Sequence, residues 1–168
     1  MVFSGILIVL LLAVSPQRET QVPTIKVGFV DMTKLFNEYH RTKTETVKFE
    51  AKFNEEQETL KRKADEVAEL QKQLQEQGSS LSEADRRDLE DRIEEASRNV
   101  RNYRDLASAR LRREKQRIDK EILESLQEAV GNYGTREGYS MIFRESMLLH
   151  GAQTFDLTDE ILRQVNSQ

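Results

Sequence analysis

Few side chains in this sequence could take part in catalysis. The chain has two histidines and no cysteine, which argues against a structural zinc site, a thiol nucleophile and a disulfide framework. His40 lies in a helical stretch and His150 precedes Gly151 in a predicted turn. Neither histidine has a neighbour that suggests acid–base or metal chemistry. Both are expected to be ordinary surface or turn residues.

The glycines and carboxylates likewise give no sign of a cofactor site. Gly131, Gly134 and Gly138 are closely spaced, but they lack the Lys and the Ser or Thr that a phosphate-binding loop needs. They are predicted to be hinge and turn residues. The Asp and Glu side chains alternate with Lys and Arg, as expected of ion pairs on exposed helix faces. The sequence therefore predicts no catalytic residue, no metal site and no cofactor, and it does not predict an enzyme.

Charge is unevenly distributed along the chain. The formal net charge is −4, so the chain lacks the basic excess of a dedicated nucleic-acid binder and no nucleic-acid partner is predicted. Residues 98–120 nevertheless contain nine basic and three acidic side chains, whereas residues 76–95 contain eight acidic and three basic ones. Arg110, Arg112 and Arg113 could attract anionic segments of another chain, although a solvated helix face would give the same pattern.

Two phenylalanines are further candidates for contact with another chain. Phe49 and Phe53 lie four residues, or about one helical turn, apart. They could form an apolar platform for a bound chain, or they could pack in a seam between two helices. The spacing fits both interpretations.

The N-terminal segment of the chain is apolar. Eleven of the thirteen residues from Val2 to Val14 are apolar, a run shorter than the roughly 20 residues that span a bilayer. Residues 1–20 are therefore interpreted as a secretory signal peptide. An uncleaved membrane anchor and a misassigned start codon remain the alternatives.

Residues 21–32 are predicted to contain one strand, and residues 33–137 a long helical hairpin. Ile25, Val27 and Phe29 alternate with other residues, as in a half-buried strand. Between Thr33 and Gln77 there is no Pro and no Gly, which permits a single helix of about 45 residues. Ser82 is predicted to cap a second helix that runs antiparallel to the first. The predicted seam residues are spaced mainly by three, four or seven, and they are Phe53, Leu60, Val67, Leu74, Leu89, Ile93, Val100, Leu111, Ile118 and Ile122.

The second helix also carries an eleven-residue repeat. Leu89, Val100, Leu111, Ile122 and Tyr133 recur at this spacing. Eleven residues make just over three turns, so the seam is expected to be nearly straight or slightly right-handed.

Residues 138–168 are predicted to complete a small β-body at the base of the hairpin. Tyr139–Phe143 and Met147–Leu149 are short apolar runs that favour strands pairing with the first strand. Thr158 is predicted to cap a last amphipathic helix. The fold class is therefore α+β and mostly α. With 37% apolar and 33% charged residues, one chain has little core of its own, which favours an elongated oligomer.

Two short sequence segments at opposite ends of the chain resemble the Skp/OmpH family, the periplasmic chaperones of outer-membrane proteins. The first runs from Val27 to Met32 and continues at Leu35–Tyr39, and the second runs from Phe155 to Leu162. The resemblance implies an ATP-independent homotrimer whose arms enclose unfolded outer-membrane proteins in the periplasm, with at most transient membrane contact. It implies a trimer body built from Ile25, Val27, Phe29, Met141, Ile142, Phe143, Leu148, Phe155, Leu157, Ile161 and Leu162.

The sequence departs from this family in one respect. Its pI is about 5.4, whereas well-known members are strongly basic, which argues against binding to lipopolysaccharide. A membrane-tethered scaffolding coiled coil is the alternative function, and it explains the helices but not the terminal strands.

Overall fold

The computed structural model describes residues 25–167. The predicted signal peptide or anchor lies outside the described residues. The elements, in chain order, are β1 (Val27–Val30), α1 (Met32–Glu38), α2 (His40–Gln77), α3 (Glu83–Glu137), β2 (Met141–Arg144) and α4 (Thr158–Asn166), with single 3-10 turns at Glu145–Met147 and Gln153–Phe155. The predicted α+β, mostly helical fold is confirmed.

Helices α2 and α3 form the antiparallel hairpin. They have 38 and 55 residues, or about 57 and 82 Å at 1.5 Å per residue. Residues 78–82 join them, and the Ser82 hydroxyl accepts a hydrogen bond from the Asp85 backbone N–H at 3.2 Å, as predicted for an N-cap. The extra length of α3 continues past the start of α2 into the base of the molecule.

The predicted first helix is in fact two helices. The chain breaks at Tyr39, which has extended backbone angles (φ −65°, ψ 129°), although no Gly or Pro lies nearby. Helix α1 begins independently, because the Asp31 carboxylate accepts hydrogen bonds from the backbone N–H groups of Thr33 and Lys34. Only α2 therefore belongs to the projecting arm, and α1 is part of the base.

The base contains a small parallel sheet. Strand β1 pairs with β2 in the register Val27 with Met141 and Phe29 with Phe143. On its other edge, Phe29 forms an isolated parallel bridge with Asp156, so β1 is central and β2 lies outside it. The predicted strand at Met147–Leu149 is wrong, since this segment follows a 3-10 turn and pairs with no strand within residues 25–167.

The core lies where the hairpin meets the sheet. It brings together buried side chains from β1, α1, α3 and α4, namely Val30, Leu35, Ile118, Ile122, Leu126, Tyr133, Leu157, Ile161 and Val165. Thr158 is buried at the edge of this core, but it is the first residue of α4 rather than its cap. The N-cap position belongs to Leu157, which has no side-chain oxygen, so the prediction for Thr158 is wrong in this detail.

Candidate functional surfaces

The two ends of the chain are joined by a short network of hydrogen bonds. The Leu157 backbone N–H donates to the Phe29 carbonyl at 2.9 Å. The Thr158 hydroxyl accepts from the Asp31 N–H at 2.9 Å and donates to the Asp156 carboxylate at 2.5 Å. The two segments that carry the family resemblance, one beginning at Val27 and the other at Phe155, therefore contact each other in the fold, although about 125 residues separate them.

The Asp156 carboxylate is held in its ionised form by this network. Partial burial acts to raise its pKa, but hydrogen bonds from the Thr158 hydroxyl and backbone N–H outweigh that effect and lower it. Nearby, the Lys34 ammonium pairs with Asp159 at 2.6 Å across α1 and α4. Polar contacts thus fix the C-terminal segment against the first strand and helix.

One face of the sheet is apolar and open to solvent. Side chains alternate between the two faces of a strand, so Val27 and Phe29 share a face with Met141 and Phe143, and Ile142 points to the helices. Met141 and Phe143 are exposed, and Ile25, which precedes β1, is 64% exposed. Phe29 alone is buried on this face, because the segment at Gly151 covers its ring.

The eleven residues predicted for an oligomer body differ in exposure. Phe29, Leu157 and Ile161 are buried. The half-buried members are Val27, Ile142, Leu148 and Leu162, and the exposed members are Ile25, Met141, Phe143 and Phe155. Next to them, Met147 and Leu149 lie in the connection between β2 and α4, where Met147 is largely exposed and Leu149 is fully exposed. The base therefore exposes several large apolar side chains to solvent.

Most predicted seam residues lie between the hairpin helices. Leu89, Ile118 and Ile122 are buried, and the half-buried members are Leu60, Val67, Leu74, Ile93, Val100 and Leu111. Phe53 differs from these residues, since 42% of its surface is exposed. It lies at the border of the seam and lines an open groove.

Two grooves flank the seam in the middle of the arm. The first has a volume of about 740 Å³ and is lined by the apolar residues Phe49, Phe53, Leu60, Ala107 and Leu111, with Arg104, Arg112, Lys115 and Asp119 among its polar residues; we call it the phenylalanine groove. The second has a volume of about 560 Å³ and is lined mainly by charged residues, including Lys52, Glu56, Arg110, Arg113, Glu114 and Arg117; we call it the charged groove.

Ion pairs between the helices occupy the charged groove. Arg110 donates to both oxygens of Glu56 at 2.9 and 3.1 Å, and Lys52 pairs with Glu114 at 2.7 Å. Arg117 also donates to Glu114. Hydrogen bonds from Arg117 and Lys52 lower the pKa of Glu114 to about 2. These charges are therefore largely satisfied within the hairpin.

The three arginines that were predicted to attract another chain do not share a surface. Arg112 lines the phenylalanine groove together with Phe49 and Phe53, whereas Arg110 and Arg113 line the charged groove. Arg110 is paired with Glu56. Among residues 25–167, no carboxylate lies within 4.0 Å of Arg112 or Arg113 in the ion pairs that the structure describes.

A family model described as outer membrane protein (OmpH-like) matches residues 26–165. The chain belongs to the OmpH-like family. The solved structures include a chain from Caulobacter crescentus CB15, described as a candidate outer membrane chaperone (OmpH-like). That chain matches with a TM-score of 0.79 and 8% sequence identity, and the match covers 85% of each chain. No curated protein sequence matches this chain. At this low identity, the structural match shows that the OmpH-like fold is shared.

The OmpH-like chain also contains contacts that sequence reasoning missed. Asn166 bonds to the backbone on both sides of the break at Tyr39, and Tyr103 donates a hydrogen bond to Glu56 across the hairpin. This bond raises the pKa of Tyr103. The antiparallel hairpin register could have suggested the Tyr103 contact, because residues 56 and 103 come close once the turn is fixed at 78–82. No local signal marks Asn166.

The histidines of this OmpH-like chain lie at the surface. His40 and His150 are both exposed. Within the described part of the chain, no three His, Cys, Asp or Glu side chains are grouped so that they could hold a metal ion. No helix among residues 25–167 has the length and apolar character needed to cross a membrane.

Proposed function

We propose that this protein is a non-enzymatic holdase chaperone of the periplasm. It assembles as a homotrimer and holds unfolded outer-membrane β-barrel proteins in a cavity between three projecting hairpins, without ATP. Membership of the OmpH-like family supports a chaperone role. The shared fold with a structure described as a candidate outer membrane chaperone supports it as well.

The observation that carries the proposal is the exposed apolar face of the sheet at Ile25, Met141 and Phe143. Parallel sheets are normally covered on both faces, and a sheet of two short strands is not stable alone. Helices cover only the face that carries Ile142. Further copies of the chain would cover the other face and pair with the outer edge of β2.

The shape of the chain supports binding between the arms. When bases join through this face, the hairpins project side by side, because each is anchored to its base where α3 enters the core and where Asn166 bonds to the start of α2. Arms whose first helix, α2, is about 57 Å long would enclose a space between them. Phe49, Phe53 and Arg112 would offer apolar and basic contacts to a chain in that space.

The contacts that such an arm can make are better suited to holding an unfolded client than to folding it. Many weak apolar and ionic contacts, each burying little surface, bind varied unfolded chains without selecting one conformation. Release then requires a competitor for the client, such as an insertion machine or the membrane, and not nucleotide hydrolysis. Export, which residues 1–20 are predicted to direct, would place the protein with clients in transit to the outer membrane.

Light-scattering mass tests this function directly. A urea-unfolded outer-membrane barrel protein is diluted into buffer that contains the protein and no nucleotide. We expect a soluble complex of three chains and one client. Precipitation of the client beside a monomer or a two-chain coiled coil of the protein would contradict the proposal and favour a scaffolding role.

A matched pair of variants tests the role of the body. Phe143→Asp places a charge on the open sheet face, and we expect it to yield a monomer that no longer keeps the client soluble. Leu106→Asp changes an exposed leucine on the arm by the same charge and should remain trimeric. A Phe143→Asp variant with the mass of the wild-type oligomer would contradict the role of the sheet face.

A further inference from the structure

The phenylalanine groove is a large surface of the arm that is both apolar and open. Its wall contains Phe49 and Phe53, which lie one turn apart on α2, and Phe53 keeps almost half of its surface in water. On the opposite wall, α3 contributes the apolar side chains of Ala107 and Leu111. A groove of about 740 Å³ has room for a large side chain from another molecule.

The charges around this groove are not balanced. Glu56 is engaged by Arg110 and Tyr103 on the other side of the seam, and Asp119 is engaged by Lys115. Arg112 lies beside the apolar wall, and no carboxylate among residues 25–167 forms an ion pair with its guanidinium. The groove therefore complements a ligand that carries an apolar side chain next to a carboxylate.

The eleven-residue geometry of α3 shows which way the groove opens. Arg112 lies 22 residues before Gly134, and Asp119 lies eleven residues before Val130. Eleven residues make about three turns, so these pairs share a side of the helix. A Cβ on Gly134 would lie 3.0 Å from Ile142 of β2, and Val130 packs against the core. The phenylalanine groove thus opens toward the side on which the sheet lies.

The charged groove opens in a different direction. Arg117 lies eleven residues before Glu128, and Arg110 lies 22 residues before Asn132. Glu128 and Asn132 are both exposed at the base of the molecule. In an assembly joined through the open sheet face, the phenylalanine groove faces the enclosed space and the charged groove faces outward.

We propose that the phenylalanine groove is a side-chain subsite for unfolded clients, which takes an aromatic residue of the client and pairs an adjacent client carboxylate with Arg112. This inference rests on the proposed holdase function and names the chemistry that its arm selects. Aromatic rings stacked against Phe49 and Phe53 remove apolar surface from water. The arginine then adds a preference for acidic over basic neighbours.

Two labelled peptides and two matched charge variants test the inference. The peptides are unstructured twelve-residue chains with a single Trp, followed by Asp in one and by Lys in the other, and their affinities are measured by fluorescence anisotropy. Arg112→Glu and Arg113→Glu change the net charge equally at adjacent positions, so long-range attraction falls equally in both. We expect Arg112→Glu to weaken binding of the Asp peptide roughly fivefold more than Arg113→Glu does.

The contribution of the apolar wall of the groove is tested in the same binding assay. Phe53→Ala is expected to weaken binding of both peptides about tenfold, since an aromatic contact is lost. Leu106→Ala removes an exposed leucine that lines neither groove and should leave both affinities unchanged. Circular dichroism and light scattering check that each variant keeps its fold and its mass.

Equal losses in Arg112→Glu and Arg113→Glu, or in Phe53→Ala and Leu106→Ala, would overturn the inference. Suppression of client aggregation, measured in parallel, separates this failure from that of the function itself. If the wild-type protein keeps the client soluble, equal losses reject only the subsite. If it does not, the holdase function fails and the subsite fails with it.

Discussion

The side chain of Asn166 closes the break between α1 and α2 at His40. Its amide oxygen accepts a hydrogen bond from the His40 backbone N–H at 2.8 Å, and its amide nitrogen donates to the Glu38 carbonyl at 3.2 Å. Both backbone groups lose helical partners where the chain turns at Tyr39. The last turn of α4 therefore supplies the bonds that a continuous helix would have formed.

Asn166→Ala is expected to loosen the junction between the base and the arm. Loss of both bonds should lower the free energy of unfolding by about 1–2 kcal/mol. It should also speed amide hydrogen exchange at the start of α2. Asn132→Ala, an exposed change on α3, is the control. Unchanged exchange at residues 40–42 would show that Asn166 does not hold the junction.

The hydroxyl of Thr158 is expected to matter more than its methyl group. Thr158→Val keeps the shape of this buried side chain, but it leaves the Asp31 N–H and the Asp156 carboxylate without a shared partner. We expect a loss of about 1–3 kcal/mol in the free energy of unfolding. Thr158→Ser keeps the hydroxyl and should cost less. Urea unfolding at one fixed chain concentration provides the comparison, and equal losses in the two variants would contradict the role of the hydroxyl.

Local signals explain what could be predicted from the sequence. Ser82 caps α3 through a neighbour three residues away, and the seam follows from the spacing of apolar residues within each helix. The break at Tyr39 could not be predicted, because its bonding partner Asn166 lies more than 120 residues away. Met147–Leu149 has the composition of a strand, but composition alone does not provide a ladder partner.

The candidate client-contact site was only partly predictable for a geometric reason. Arg112 and Arg113 are adjacent in sequence, so the sequence groups them, but successive residues point about 100° apart around a helix. The two side chains consequently line different grooves. The eleven-residue repeat contained this information, because it defines which residues share a side with Gly134.

Two glycines should respond to alanine in opposite ways. A Cβ on Gly28 in β1 would lie 2.5 Å from Leu157 Cδ1 and 2.9 Å from its Cγ, so Gly28→Ala should cost about 1–3 kcal/mol through overpacking. A Cβ on Gly131 in α3 would meet no atom of the described part of the chain within 4 Å. Gly131→Ala should stabilise the helix by about 0.5–1 kcal/mol. Thermal unfolding shows whether each variant is less or more stable than the wild type. A Gly28→Ala variant as stable as the wild type would contradict the close approach of Leu157.

The cross-helix ion pairs of Glu114 predict how the arm responds to acid. Arg117 and Lys52 lower the pKa of Glu114 from 4.5 to about 2. A carboxylate whose pKa falls on folding stabilises the folded state above its unfolded pKa, and this contribution is lost as the pH falls toward the folded pKa. The contribution should therefore be complete above pH 4.5 and should disappear as the pH approaches about 2.

Glu114→Gln isolates this effect. We expect the variant to have a lower Tm than the wild type at pH 7, with a difference that shrinks between pH 4.5 and pH 2 and also shrinks in high salt. Glu128→Gln is the control, because Glu128 is an exposed residue of the same helix and should show no such convergence. A difference between wild type and Glu114→Gln that persists unchanged down to pH 2 would mean that Glu114 stabilises the arm by packing and not by its charge.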